Sequence, residues 1–187
     1  MTATSQFALT QDQQNLIDLA DRFARQEMYP LAPKMDDEEW WPPHIFRKFC
    51  EGGFLGVTLP ETYGGAGMSL LDAGLILQAF SRWNHALALS WVAHDNLCAN
   101  NLHNNGSKFI CSKYLPKMCS GEWIGCLGLT EPGAGAATVQ CPGPADAFSE
   151  GLGGGLAKPE VRRRLANANR DDGRQPVLVG GFSAGAA

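Results

Sequence analysis

Apolar residues recur at helical spacing through most of the N-terminal part of the chain, separated by short polar or glycine-rich stretches. The first helix is predicted to begin after Thr10, which can form a capping box with Gln13, and to continue to about Met28. Tyr29-Pro30 is expected to end it, because the residue before a proline is disfavoured in the α region.

Four further helices are predicted. They lie between Pro42-Pro43 and Gly52-Gly53, from Ser69 to about Trp83-Asn84, over residues 86–102, and from Ser107 to about Leu115, where Pro116 is expected to break the helix. The helix that begins with Ser69 as N-cap and Asp72 in its first turn is expected to turn an apolar face toward a core, formed by Leu71, Leu75 and Ala79 with the neighbouring Ile76 and Phe80. The next helix is apolar around much of its circumference. Residues 123–130 then form an apolar run with glycines, which is typical of a strand.

Composition excludes several classes of protein. The 187 residues carry 15 basic and 19 acidic side chains, a net charge of -4. The sequence therefore has no excess of positive charge with which to bind nucleic acid or an anionic membrane. The apolar stretch at residues 86–93 is far shorter than the ~18 residues of a membrane span, and no export signal is visible, so a soluble protein is expected. Six cysteines without a CxxC pair favour a reducing compartment and a cytoplasmic location.

Three segments carry a family resemblance. They are residues 59–67 (LPETYGGAG), residues 113–123 (KYLPKMCSGEW) and residues 128–135 (GLTEPGAG). The last resembles the signature loop of the acyl-CoA dehydrogenases, and the other two are similar to further motifs of that family, in the same order. The resemblance extends over residues 7–135.

The resemblance implies a mainly α fold. Residues 7–121 are expected to form the N-terminal all-helical domain of the family. Residues 122–136 would start an incomplete β domain with the flavin-binding loop, and residues 137–187 would be an unrelated, disordered tail.

The family uses FAD, and the resemblance places its cofactor contacts at Leu127, Leu129, Thr130, Gly135 and Ala136. A strand that ends in a threonine and a Pro-Gly-x-Gly turn presents backbone N–H groups and a hydroxyl, which suit a planar ring and a diphosphate. The alternative is a buried strand and its turn, with no cofactor.

Residues 89–98 (LSWVAHDNLC) look like the corresponding helix of the isovaleryl-CoA branch. The resemblance implies that Leu89 and Ala93, with Ala136, contact an acyl-CoA substrate, as expected for leucine or fatty acid catabolism. Ordinary core positions are the alternative for Leu89 and Ala93. The family's complete enzymes pass electrons to an electron-transfer flavoprotein and form homotetramers.

No catalytic residue is assigned, because the family's base is a glutamate from a C-terminal region that has no counterpart here. No metal site is expected either. His94 and Cys98 are spaced i, i+4 on one helix and could share a metal, but no second ligand pair stands at metal-site spacing.

The resemblance ends inside the signature loop, where Ala136-Ala137 replaces the family's Ser/Thr and Asp. The following residues are rich in Gly, Ala, Arg and Pro, which favours disorder. A reading-frame change near Gly135 would explain this break. We therefore expect an FAD-dependent dehydrogenase of short or branched acyl-CoA, impaired as given, and the alternative is a non-catalytic helical binding fragment.

Overall fold

The computed structural model describes residues 8–127 and 177–180. Within them lie seven α-helices and two strands. The helices are α1 (Gln11–Phe23), α2 (Ala32–Glu38), α3 (Ile45–Glu51), α4 (Leu70–Ser81), α5 (His85–Val92), α6 (Asn101–Asn105) and α7 (Lys108–Cys119), and the strands are β1 (Ile124–Leu127) and β2 (Val177–Gly180). Two π-helical segments, Ala24–Met28 and Ala93–Asn100, continue α1 and α5.

The chain divides into two compact units, which are described separately. The first contains the described parts of Met1–Pro42 and Met68–Ser90, and the second contains those of Pro43–Gly67 and Trp91–Ala187. In neither unit is a described helix long and apolar enough to cross a membrane.

Helices α1 and α4 pack together in the first unit. The rings of Phe23 and Phe80 lie 5.7 Å apart, and Gln13 donates a hydrogen bond to Asp72 at 3.2 Å. Both helices begin with the predicted caps: Thr10 forms a capping box with Gln13, and Ser69 forms one with Asp72. These caps were predictable because each depends only on residues three positions apart.

The end of the first helix differs from the prediction. After the π segment, Tyr29–Leu31 forms a 3-10 turn that continues directly into α2. Pro30 therefore does not end the helical path, because its fixed φ suits the first positions of a helical turn, where no N–H bond is lost. Helix α2 was not predicted.

Helix α4 buries the expected face except at its first turn. Leu71 was expected in the core but is 57% exposed. The buried side of the helix carries Ala73, Ile76 and Phe80, which follow the i, i+3, i+7 spacing of one face. The predictions for Ile76, Ala79 and Phe80 are thus confirmed, and the prediction for Leu71, in the first turn of the helix, is wrong.

The second unit has its own core. It is formed by seven buried residues of the loop before α4, the second π segment and α7: Leu59, Cys98, Ala99, Cys111, Leu115, Met118 and Cys119. Helix α3 adds buried Ile45, Phe46 and Phe49.

Pro116 does not break α7, contrary to prediction. The helix continues to Cys119, and Ser120 N–H bonds back to the carbonyl of Pro116 at 3.0 Å. Met118 and Cys119, which follow the proline, are buried, so apolar packing favours the helix beyond Pro116.

Strands β1 and β2 pair in parallel, with Ile124 opposite Val177 and Leu127 opposite Gly180. The helices followed by a strand confirm the predicted mainly α fold class. β2 was not predicted, although its Val177-Leu178-Val179 run is typical of a strand. It lies within residues 137–187, and the remainder of that expected tail lies outside the described residues, as does the signature loop at residues 128–135.

Candidate functional site

Strand β1 leads directly to the signature loop, and its glycine at position 125 lies very close to the helices. A Cβ atom added at Gly125 would lie 2.7 Å from the Cys98 sulfur and would also overlap the methyl group of Met118. Only glycine fits this space without displacement. A glycine inside a strand often marks such a close approach of another part of the chain.

His94 holds β1 in place. The Gly125 N–H donates a hydrogen bond to Nδ1 of His94 at 2.8 Å, and Nε2 of His94 donates to the Met118 carbonyl at 3.2 Å. The imidazole is fully buried, with its ring against Phe46 at 4.9 Å. Burial lowers the pKa of His94 to about 4, against the smaller effect of the Met118 carbonyl. The ring is therefore neutral at pH 7, as these two hydrogen bonds require.

These contacts decide against the metal alternative for His94 and Cys98. A metal ligand needs a free nitrogen lone pair, but the Nδ1 lone pair of His94 accepts the Gly125 N–H and its Nε2 carries a hydrogen. Within the described residues, no group of three or more His, Cys, Asp or Glu side chains could hold a metal ion.

Asp95, the next residue, holds the loop before α4. Its carboxylate accepts hydrogen bonds from the backbone N–H groups of Gly56, at 2.5 Å, and Val57, at 3.2 Å. Burial raises the pKa of Asp95 to about 6, although both hydrogen bonds act in the opposite direction. His94 and Asp95 thus reach from the π segment to two different parts of the unit.

The loop itself is closed by backbone hydrogen bonds. Ala66 N–H bonds to the Gly56 carbonyl at 3.0 Å, and Gly67 N–H bonds to the Leu59 carbonyl at 2.8 Å. A Cβ atom at Gly65 would overlap the Leu59 carbonyl, so a side chain is excluded there. The glycines of residues 59–67 thus allow the chain to fold back on itself at close range.

The sequence-predicted cofactor contacts are described only in part. Leu127 is the last residue of β1, and Leu129, Thr130, Gly135 and Ala136 lie outside the described residues. Their assignment remains a prediction.

The predicted acyl-pocket residues lie on described helices. Leu89 is on α5 and is 66% exposed, which contradicts the alternative that it is an ordinary core residue. Ala93 is the first residue of the second π segment and is half-buried. Their role in binding substrate remains a prediction.

Sequence reasoning missed the roles of His94 and Asp95. A usable signal was present, since two ionisable residues stand side by side directly after the apolar run at residues 86–93. Such residues are rarely buried unless their polar atoms are paired. The partners are 24 to 39 positions away along the chain, so they could not be named without the fold.

Comparisons with known proteins agree with this organisation. The model of the family described as "Acyl-CoA dehydrogenase, N-terminal domain" matches residues 10–122. The mitochondrial isovaleryl-CoA dehydrogenase of Pongo abelii is 36% identical over 133 residues, which are 70% of this chain and 31% of that protein.

Two solved structures are also similar. Butyryl-CoA dehydrogenase of Megasphaera elsdenii matches with a TM-score of 0.65 and 27% identity over 71% of this chain and 36% of its own. Glutaryl-CoA dehydrogenase of Mycobacterium smegmatis, in complex with FADH2, matches with a TM-score of 0.65 and 25% identity over 70% of this chain and 33% of its own.

The chain spans about a third of the length of these relatives. The family match covers the two caps, the loop of residues 59–67 and the π segment that holds β1. The chain therefore belongs to the acyl-CoA dehydrogenase family, and residues 10–122 correspond to its N-terminal domain.

Proposed function

We propose that this chain contributes to the FAD-dependent α,β-dehydrogenation of a short or branched acyl-CoA. The observation that carries the proposal is the attachment of β1 to the helices through Gly125 and His94. This contact fixes the start of the strand whose continuation resembles the flavin loop of the family. The isovaleryl-CoA and butyryl-CoA dehydrogenases among the relatives support the choice of substrate class.

The described part of β1 suits a flavin. Its residues, Ile124-Gly125-Cys126-Leu127, carry no charged group at neutral pH, because burial raises the pKa of the Cys126 thiol. An uncharged, apolar strand is compatible with a planar heteroaromatic ring, and a following threonine and glycines would supply hydrogen-bond donors. FAD supplies the redox chemistry in this proposal, as the acceptor of a hydride from the acyl chain.

We assign Leu127, Leu129, Thr130, Gly135 and Ala136 to cofactor binding. Leu89, Ala93 and Ala136 are assigned to the acyl-CoA. The exposure of Leu89 supports its assignment, because an exposed leucine is available to a ligand. Selectivity among acyl chains would be modest, since one methylene in an apolar pocket changes binding by only ~1–3 kcal/mol.

The partners of the proposed activity follow the family. The reduced flavin would pass its electrons to an electron-transfer flavoprotein, and the working enzyme would be a homotetramer. We place it in the cytoplasm, because the five cysteines of the described residues are free thiols, as expected in a reducing compartment. No described residue is assigned as the base.

Flavin binding tests the proposal directly. The purified 187-residue chain is incubated with FAD, separated from free FAD by gel filtration, and examined for bound flavin by visible absorption. Retention of the flavin spectrum is expected. A colourless, monodisperse chain would contradict the proposal for this chain and favour a non-catalytic binding fragment.

A pair of glycine variants sharpens the test. Gly125→Ala should weaken FAD retention because the added Cβ would displace β1 from Cys98. Gly74→Ala is the matched control, because nothing lies within 4 Å of a Cβ atom at Gly74. Equal retention by the two variants would show that β1 does not position the cofactor.

A further inference from the structure

The first unit contains a pocket beside the N-terminal end of α2. Its volume is about 460 Å³, and its walls come from the Tyr29–Leu31 turn, α2 and the start of α5. This volume lies within the range of small-ligand sites, roughly 300–1,000 Å³, and the pocket is open to solvent on one side. Leu89 and Ala93, the described residues predicted to contact the substrate, do not line it.

Two aromatic rings form one side of the pocket. The ring centroids of Tyr29 and Trp83 lie 5.4 Å apart and the ring planes meet at 71°, so the two ring faces point in different directions. The indole N–H of Trp83 donates to the Asp21 carboxylate at 2.9 Å. That bond fixes the orientation of the ring before any ligand arrives.

The buried polar group of the pocket is already satisfied. Asn84 donates its amide to the Met28 carbonyl at 3.0 Å and contacts the Met35 sulfur at 3.6 Å, and its side-chain oxygen accepts the Leu87 N–H at 3.0 Å. A ligand therefore gains little from N–H or O–H groups directed at Asn84. The thioether of Met35 adds a polarisable surface beside the rings.

The pocket has a negative charge of its own. Asp36 lies on its lining and is exposed, and its carboxylate has no hydrogen bond or ion pair with any described residue. The Trp83 ring already contacts one cation of the protein itself, since the Arg25 guanidinium lies 5.6 Å from the ring centroid. Arg25 is not among the lining residues, so it does not occupy the pocket.

We propose that this pocket binds a small organic cation of the trimethylammonium type. Ring faces and a carboxylate attract such a cation, and its methyl groups suit the apolar walls of Met35 and the aromatic rings. It has no N–H groups and so needs no acceptor beyond the Asp36 charge. A metal ion would need several oxygen ligands, whereas among the described residues Asp36 alone lines this pocket with a carboxylate.

Choline is a suitable probe, and 3,3-dimethyl-1-butanol is its uncharged isostere. Each is titrated into the full 187-residue chain at neutral pH while the indole N–H resonances are followed by NMR, with the Trp83 signal identified from Trp83→Phe. We expect saturable displacement of the Trp83 signal by choline. The neutral isostere should bind about tenfold more weakly, because it lacks the cation–π and ionic attraction.

Matched variants locate the site. Asp36→Asn should weaken choline binding about threefold or more, whereas Asp37→Asn, which changes the same charge at an exposed neighbour outside the lining, should not. Tyr29→Leu should weaken binding and Tyr29→Phe should preserve it, because only the first removes a ring.

Three outcomes would overturn the inference. They are a Trp83 signal that does not respond to choline, equal binding of choline and its neutral isostere, and equal effects of Asp36→Asn and Asp37→Asn. The second would identify an apolar pocket without cation selectivity, and the third would identify general electrostatic attraction. None of them bears on flavin retention, so this test stands apart from that of the proposed function.

Discussion

The Nδ1 atom of His94 accepts the backbone N–H of Gly125 at 2.8 Å, which joins a π-helical segment to the first strand across 31 positions of sequence. The same ring donates to the Met118 carbonyl at the end of α7. Three elements of the second unit therefore meet at one buried, neutral side chain. Because the strand continues into the segment that resembles the flavin loop, the stability of this junction bears on the proposed cofactor site.

Replacement of His94 should strongly destabilise the chain. His94→Ala leaves the Gly125 N–H and the Met118 carbonyl without partners and opens a cavity beside Phe46. The expected loss is ~3 kcal/mol in the free energy of unfolding, from unsatisfied polar groups and lost packing. Urea denaturation followed by circular dichroism measures it. His85→Ala is the control, because His85 is exposed, and should change stability by less than ~0.5 kcal/mol. Equal losses would contradict the role given to His94.

Gly125 and Gly74 should respond oppositely to alanine. Gly125→Ala forces a Cβ atom against Cys98 and Met118 and should cost ~1–3 kcal/mol. Gly74→Ala places a methyl group in open space on α4 and should stabilise by ~0.5–1 kcal/mol, since alanine favours a helix over glycine. Thermal unfolding midpoints of the two variants provide the comparison. A lower midpoint for Gly74→Ala than for Gly125→Ala would show that the close approach at β1 does not make a side chain at position 125 destabilising.

His94 and Asp95 should give opposite pH dependences. The pKa of His94 falls from 6.5 to about 4 on folding, so the unfolded chain binds more protons and stability decreases as pH falls through this window. The pKa of Asp95 rises from 3.8 to about 6 on folding, so the folded chain binds more protons and stability increases as pH falls from about 6 to 3.8. Each effect is on the order of 3 kcal/mol, and the two nearly cancel between pH 4 and 6.

Single variants should expose each contribution. Asp95→Asn removes the compensating group, so its stability should fall more steeply than that of the parent chain between pH 6 and 4. His94→Gln should show the reverse difference, with stability rising relative to the parent chain as pH falls. Urea denaturation at half-unit pH steps tests both. Parallel profiles for the parent chain and the two variants would show that neither buried group titrates differently on folding.

The caps of α1, α4 and α7 were predictable from sequence because each hydroxyl bonds to a backbone N–H three residues later. The orientation of Leu71 and the junctions at His94 and Asp95 were not, because their environment is set by residues distant in sequence. Motif resemblance named Leu129 and Thr130 as cofactor contacts, and it could not reveal that the preceding strand is held by a histidine. Local chemistry thus fixes where elements begin, whereas tertiary contacts determine which faces and polar groups become buried.

Pro116 gives a last prediction, because it lies inside α7 against the rule for prolines. It cannot donate a hydrogen bond to the carbonyl four residues earlier, and its ring crowds that carbonyl. Pro116→Ala restores the donor and raises helix propensity, which stabilises the folded chain. It also gives the unfolded chain more conformational freedom, which lowers the free energy of unfolding by ~0.4–1 kcal/mol. A net gain of about 1–2 kcal/mol is expected, seen as a higher thermal midpoint. Pro33→Ala is the matched control, because Pro33 lies in the first turn of α2, where no donor is required, and it should not raise the midpoint. If Pro116→Ala instead lowers the midpoint, the stability gained because the proline restricts the unfolded chain exceeds the stability lost because it disturbs α7.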